Sequence, residues 1–180
     1  ISIAGGKLTG YRKMAERVVN LVVKKHFDDK LLSECKTEEI KLSGSNFNSI
    51  KEVRKFTSSV AEKLWAFGFA KDIPSYLVEN YGQQVVLIFD LWSDRNAEED
   101  PDLSLLKAEL AFCIKYEMVC SLQDFFTRRT GLINFNIHRV VKWKHQISEA
   151  CKIQLQWDDE RQLREMNSLN ALIKSVTEFA

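Results

Sequence analysis

Apolar residues in this chain recur at three- and four-residue spacings, and almost nowhere after residue 6 at the two-residue spacing of a strand. Ile50, Val53, Phe56, Val60, Leu64 and Phe67 form one such stripe, with Asn48 or Ser49 placed to cap it and Gly68 to end it. Asp72, with Pro74 at an early helical position, opens a short helix that stops at Gly82, and another runs from 83 to about 92. Residues 93–101, with Asp94, Glu98, Glu99 and Asp100, read as an acidic surface loop. Residues 104–135 then read as two helices in tandem. Leu106, Leu110, Cys113 and Ile114 mark the first, Ser121 and Asp124 have the spacing of a capping box for the second, and Gly131 supplies its stop. Asn136 caps a helix from 137 to about 155, and Asp158 opens a last one to about 177. The expected fold is all-α, with a helical domain of about six or seven helices.

The first residues differ. Residues 1–4 are a short apolar run expected as a strand, followed by Gly5-Gly6-Lys7-Leu8-Thr9-Gly10 and a helix from 11 to about 25 striped by Met14, Val18, Leu21 and Val22. A strand, a glycine turn and a helix in that order put backbone N–H groups at a helix N-terminus, where anions or electron-rich ring edges are favoured. The spacing matches neither the dinucleotide fingerprint nor the P-loop, and Gly-Gly before a helix is also the ordinary form of a tight turn. From 28 to 47 the helical period is lost, and Ser43-Gly44-Ser45-Asn46 is loop by composition. The expected organisation is therefore a strand–turn–helix unit over 1–27, a linker over 28–47 and a helical domain over 48–180. The chain starts without Met inside the expected strand, which suggests a piece of a longer protein.

Composition removes several classes of function. With 45% apolar and 28% charged residues the chain can build a core, so disorder is not the default. A net charge of +1, with no aromatic-and-basic binding motif, argues against nucleic acid as a partner. Cys35, Cys113, Cys120 and Cys151 form no C-x-x-C pair, so reduced thiols in the cytoplasm are expected. No run approaches the ~18 apolar residues of a membrane span. His26, His138 and His145 are scattered, and no cluster completes the three or four converging ligands a metal needs. No nucleophile elbow appears, and no cysteine has a basic or helix-start setting. The helix from 137 carries His138, Arg139, Lys142, Lys144, His145 and Lys152 among Val140, Val141, Trp143 and Ile147. That mixture suits a solvated face beside a packing stripe, or a peripheral contact with the inner face of the cell membrane. The final helix suits packing or homo-oligomerisation.

Charge within the apolar run of 104–135 needs a partner. Glu109 and Glu117 are eight apart and share a face, and the Arg128-Arg129 fork can grip carboxylates in a bidentate way. The expectation is a structural ionic lock of Glu109, Glu117, Arg128 and Arg129 across the two helices, worth about 3–5 kcal/mol if it is buried.

Two stretches also resemble a known family. Ile3-Ala4-Gly5-Gly6-Lys7-Leu8-Thr9, followed by Tyr11-Arg12-Lys13-Met14-Ala15-Glu16, resembles the last flavin-contacting turn of FAD-dependent glycerol-3-phosphate dehydrogenases and bacterial alpha-glycerophosphate oxidases. Tyr76-Leu77, Tyr81-Gly82, Lys107-Ala108-Glu109, Tyr116-Glu117-Met118 and Asp124 with Arg128-Arg129-Thr130 are similar to the helical C-terminal domain of the same enzymes. The resemblance covers about residues 1–136. It implies oxidation of sn-glycerol 3-phosphate to dihydroxyacetone phosphate by a full-length chain whose FAD is held largely upstream. Residues 1–27 would then be the tail of the FAD-binding domain, and 48–180 a cap and contact module. Gly5 and Gly6 would admit the flavin, and the amides of Lys7, Leu8 and Thr9 would face the pyrimidine side of its ring. Lys7 would also place positive charge near the substrate phosphate. Gly10 departs from the family's pattern, in which a polar residue such as Thr is usual. The remaining machinery would lie before Ile1, so these 180 residues alone would not turn over.

Overall fold

The computed structural model describes residues 1–5, 7–27, 32–93 and 98–178. They divide into two units, Ile1–Asn46 and Phe47–Ala180.

In the first unit a single turn of 3-10 helix, Leu8–Gly10, leads into α1, Tyr11–His26. Met14, Val18 and Val22 of its apolar stripe are half-buried, whereas Leu21 is exposed, and no residue of α1 is fully buried. The strand expected at 1–4 is absent. A strand exists only where a neighbour supplies ladder partners, and no other extended segment among the described residues does so; Ile1 and Ile3 are 68% and 55% exposed. Residues 32–46 hold turns only, closed by bonds such as Glu39 N–H to Lys36 O and Ser45 N–H to Leu42 O, each 3.0 Å. Of the expected linker, residues 28–31 lie outside the described residues.

The second unit is built from α2 (Ile50–Trp65), α3 (Ile73–Tyr81), α4 (Val85–Ser93), α5 (Pro101–Glu117), α6 (Leu132–Phe135), α7 (Ile137–Leu155) and α8 (Asp159–Thr177). Its starts are chemical. Ser49, Asp100, Asn136 and Asp158 each accept a first-turn N–H through a side-chain oxygen, and Pro74 and Pro101 sit where their missing N–H costs nothing. The expected acidic loop enters α5 through Asp100, while its residues 94–97 lie outside the described ones. Gly82 closes α3 at φ 55° and ψ −133°, a backbone region open essentially to glycine alone.

α5 runs through the middle of this unit, packed against α4 and α7, while α7 in turn carries α8. Leu103, Leu105, Leu106, Ala108, Leu110, Phe112 and Cys113 are all buried, so α5 is covered on every side. After Met118, in the left-handed region at φ 59°, the chain reverses into the segment expected as a second short helix. The capping box is present. Ser121 Oγ accepts from Asp124 N–H at 3.0 Å, and Asp124 Oδ2 accepts from Cys120 N–H at 3.1 Å. The helix it opens is a π-turn, Asp124–Arg129, closed by the i to i+5 bond from Thr130 N–H to Phe125 O at 3.0 Å. Phe125 and Phe126 go fully into the core from this wide turn, and Arg128 is left exposed.

Candidate functional site

The expected cofactor-contacting residues lie in the first unit. Gly5 faces Met14, whose Cε would stand 2.8 Å from a Cβ added there. Gly6 lies outside the described residues. Lys7 and Thr9 are exposed, and Lys7 O accepts from Gly10 N–H at 3.0 Å. Gly10 provides no side-chain cap for α1, and no acidic residue occupies its first turn. The positive end of α1 is thus neither capped by its N-cap residue nor countered by a carboxylate in that turn. Lys24, Lys25 and His26 sit correctly at the opposite, negative end. Arg12, in the same motif, has a different use: it donates to Glu16 (3.0 Å), Glu38 (2.9 Å) and Thr37 (3.3 Å), tying residues 37 and 38 to α1.

The chemistry of the second unit gathers around Glu109. This carboxylate is fully buried within α5, and its Oε1 accepts from Tyr76 Oη at 2.5 Å and Tyr81 Oη at 2.7 Å. Tyr81 Oη also lies 3.6 Å from Cys113 Sγ. Two tyrosines of α3, five residues apart, therefore close on one carboxylate of α5. Burial raises the Glu109 carboxyl above its ordinary value of 4.5, against the opposing pull of the Arg139 charge and the two hydroxyls. The same burial, with the Glu109 charge beside them, drives both tyrosine hydroxyls well above their usual range. Glu109 is sealed from solvent and its Oε1 is taken by two hydroxyls, so a structural clamp is the chemistry the group supports.

The expected ionic lock is therefore corrected in its main member. Among the described residues no arginine hydrogen-bonds Glu109; its hydroxyl donors come from α3, because Glu109 points into the core while the π-turn carries Arg128 outward. Arg128 instead pairs with Asp124 at 2.5 Å within its own turn, with 60% of its side chain exposed, an arrangement worth about 0.3–0.5 kcal/mol. Arg129 lies 3.8 Å from the Glu117 carboxylate, but its firmer bond is from Nε to the Glu117 backbone oxygen at 2.8 Å. It caps the C-terminal end of α5.

A part-buried ion pair lies elsewhere in this unit. Arg139 of α7 is 7% exposed and donates from Nε to Asp102 Oδ1 at 2.9 Å, while Trp143 Nε1 donates to Asp102 Oδ2 at 2.7 Å. One carboxylate in the first turn of α5 thus holds two residues of α7 that are four apart. The i, i+4 spacing of Arg139 and Trp143 was visible in the sequence, but nothing in it named Asp102 as the partner. Of the other basic residues of α7, Lys142 lies 3.5 Å from Asp100, Lys144 donates to Asn170 at 2.6 Å and Lys152 pairs with Asp159.

The four thiols separate into two classes. Cys113 and Cys151 are buried, and burial pushes the first well above its usual range and the second up to about 12. Cys35 and Cys120 are exposed. A thiol reagent at pH 8 is expected to modify Cys35 and Cys120 in the native chain, and Cys113 and Cys151 only after denaturant is added. Rapid native modification at Cys113 would contradict the packing of α5.

Residues 35–162 match the family of the C-terminal domain of alpha-glycerophosphate oxidase. The chain belongs to this family. The aerobic glycerol-3-phosphate dehydrogenase of Bacillus subtilis is 34% identical over 178 residues, covering 96% of this chain and 32% of that protein. The enzyme of the same name from Staphylococcus haemolyticus is 31% identical over 182 residues, covering 98% and 32%. A crystal structure of the glycerol-3-phosphate dehydrogenase from Bacillus halodurans, complexed with FAD, matches at a TM-score of 0.81 and 34% identity over 96% of this chain and 35% of that one. The chain thus spans about a third of the length of these relatives. In this alpha-glycerophosphate oxidase family domain, Tyr76, Tyr81 and Glu109, three residues that carried the resemblance, are the ones joined in the core.

Proposed function

We propose that the chain is the C-terminal part of a flavoenzyme that oxidises sn-glycerol 3-phosphate to dihydroxyacetone phosphate. The observation that carries this reading is the match along 96% of the chain to a glycerol-3-phosphate dehydrogenase complexed with FAD. In this reading residues 1–27 complete the FAD-binding domain, 28–47 link it onward, and 48–180 form a helical cap with no reacting group of its own. FAD supplies the two-electron acceptor for conversion of the secondary alcohol to the ketone. The turn fits such a group at its helix end, which is uncapped by Gly10 and free of first-turn carboxylates. The amides of Lys7, Leu8 and Thr9 would hold the electron-rich edge of the ring, and the exposed Lys7 ammonium would orient the substrate phosphate.

The deciding experiment uses a protein of the relatives' full length that ends in this sequence. Glycerol 3-phosphate added without oxygen is expected to bleach a flavin band; absence of any bound flavin would overturn the reading. In the same protein Lys7→Met is expected to lower kcat/KM by about 30- to 100-fold, chiefly through KM, as loss of one charge-assisted contact of about 2–3 kcal/mol. An unchanged KM would remove Lys7 from the phosphate site. Residues 1–180 by themselves are expected to purify colourless and inactive.

A second reading, a contact domain for another copy or for the inner face of the cell membrane, is favoured by Val141, Ile153 and Leu163, which are 49%, 76% and 61% exposed on α7 and α8. No helix among the described residues is long and apolar enough to cross a membrane. Sedimentation with and without anionic vesicles separates dimer, membrane-bound and monomeric forms.

A further inference from the structure

Among the described residues, three buried side-chain atoms have no hydrogen-bond partner: Glu109 Oε2, Thr127 Oγ1 and Arg139 Nη2. Buried polar atoms are almost always satisfied, so each exception asks for a reason. Two of the three share one address. Thr127 and Arg139 both line a recess of about 560 Å³ between α3, the π-turn and the start of α7, and Tyr76, which bonds Glu109, lines it too.

The charge of the recess is uneven. Arg128, Arg129 and Arg139 line it, against the carboxylates of Asp72 and Glu79. Arg139 is the built element. Its side chain is only 6% exposed; Nε donates to Asp102 Oδ1 and Nη2 stands 2.8 Å from the same oxygen as an ion pair, while Nη1 makes no hydrogen bond among the described residues. Arg129 spends Nε on the Glu117 carbonyl, and its two Nη groups make no hydrogen bond among the described residues. The guanidinium groups and the unpartnered hydroxyl of the residues lining this one recess outnumber the two oxygens of a carboxylate and suit the three terminal oxygens of a phosphate.

We propose that this recess binds a phosphomonoester, with Arg139 and Arg129 as its cations and the Thr127 hydroxyl as a further donor. The phosphate enters past Arg128, which is held to Asp124 at the exposed edge. The unmet atoms of Arg139 and Thr127 are buried, so their side chains have to shift to meet it. The site lies wholly within the second unit and stands whether or not the flavoenzyme reading holds.

The test is titration of the 180-residue chain with inorganic phosphate at constant ionic strength, chloride serving as the control, followed by calorimetry and by melting. Saturable binding and a Tm that rises with phosphate and not with chloride are expected. Thr127→Val keeps the shape and is expected to weaken phosphate about tenfold, and Arg129→Gln about 30-fold. Circular dichroism checks that each variant is folded; if Arg129→Gln is not, Thr127→Val decides. Equal melting in phosphate and chloride, or a folded Thr127→Val that binds phosphate as the parent does, would overturn the site. Two sources of the group are separated by competition. Displacement of phosphate by a small soluble phosphate ester supports a metabolite, and displacement only by phosphatidic acid in phosphatidylcholine vesicles supports a lipid headgroup.

Discussion

Replacing Glu109 by Ala is expected to lower the unfolding free energy by about 3–5 kcal/mol, read as a fall in the urea midpoint at unchanged slope. The size follows from what is stranded. Tyr76 and Tyr81 lose their acceptor inside the core, and Arg139 loses the nearby negative charge. Removing a costly buried carboxylate recovers part of this, which keeps the figure from being larger. Glu109→Gln separates charge from shape. It keeps an oxygen for the hydroxyls, is expected to cost about 1–2 kcal/mol near neutral pH, and changes the pH dependence. Burial raises the carboxyl above 4.5 in the folded chain, so between the unfolded and folded values the native state holds more protons than the unfolded one. Stability from this group is thus complete below 4.5 and declines as pH rises through the folded value. Parent minus Glu109→Gln stability, measured from pH 4 upward, should decline with pH. A difference that grows with pH would mean that Arg139 and the two hydroxyls outweigh burial.

Arg139→Met is expected to cost about 2–4 kcal/mol, the lower end reflecting the 29% exposure of the Asp102 side chain that loses its partner. Met preserves much of the buried stem, so the loss reports on the guanidinium and less on packing. Arg139→Lys should recover little, because a single ammonium cannot reproduce the fork that meets Asp102 while Trp143 holds the other oxygen. A cycle with Asp102→Asn isolates the pair. Additive losses would show that Arg139 acts through packing alone.

Much of the helical layout was legible because it is local. Caps at Ser49, Asn136 and Asp158, the proline at 74 and the stop at Gly82 depend on residues within one turn, and they fell where spacing placed them. The lock was not legible in the same way. Glu109 and Glu117 do share a helix, but which side of α5 meets which neighbour depends on the π-turn, whose extra residue per turn no helical periodicity encodes. Asp102 was hidden for a related reason: a carboxylate in the first turn of a helix already has a local explanation in the helix dipole, so nothing marked it as the anchor of α7.

By itself, then, the sequence determined the class of fold, the order and ends of most helices, and the family, because periodicity, capping and motif spacing are all written along the chain. Only the tertiary structure decided the partners. It moved Glu109 from the arginines to two tyrosines, gave Arg139 to Asp102, and brought Thr127 and Arg139 to one recess. It also withheld the strand at the start, which needs ladder partners that no described residue provides. Contacts between residues 28 to 37 positions apart, such as these, arise from how helices cross, and crossing is set by the packing of whole faces.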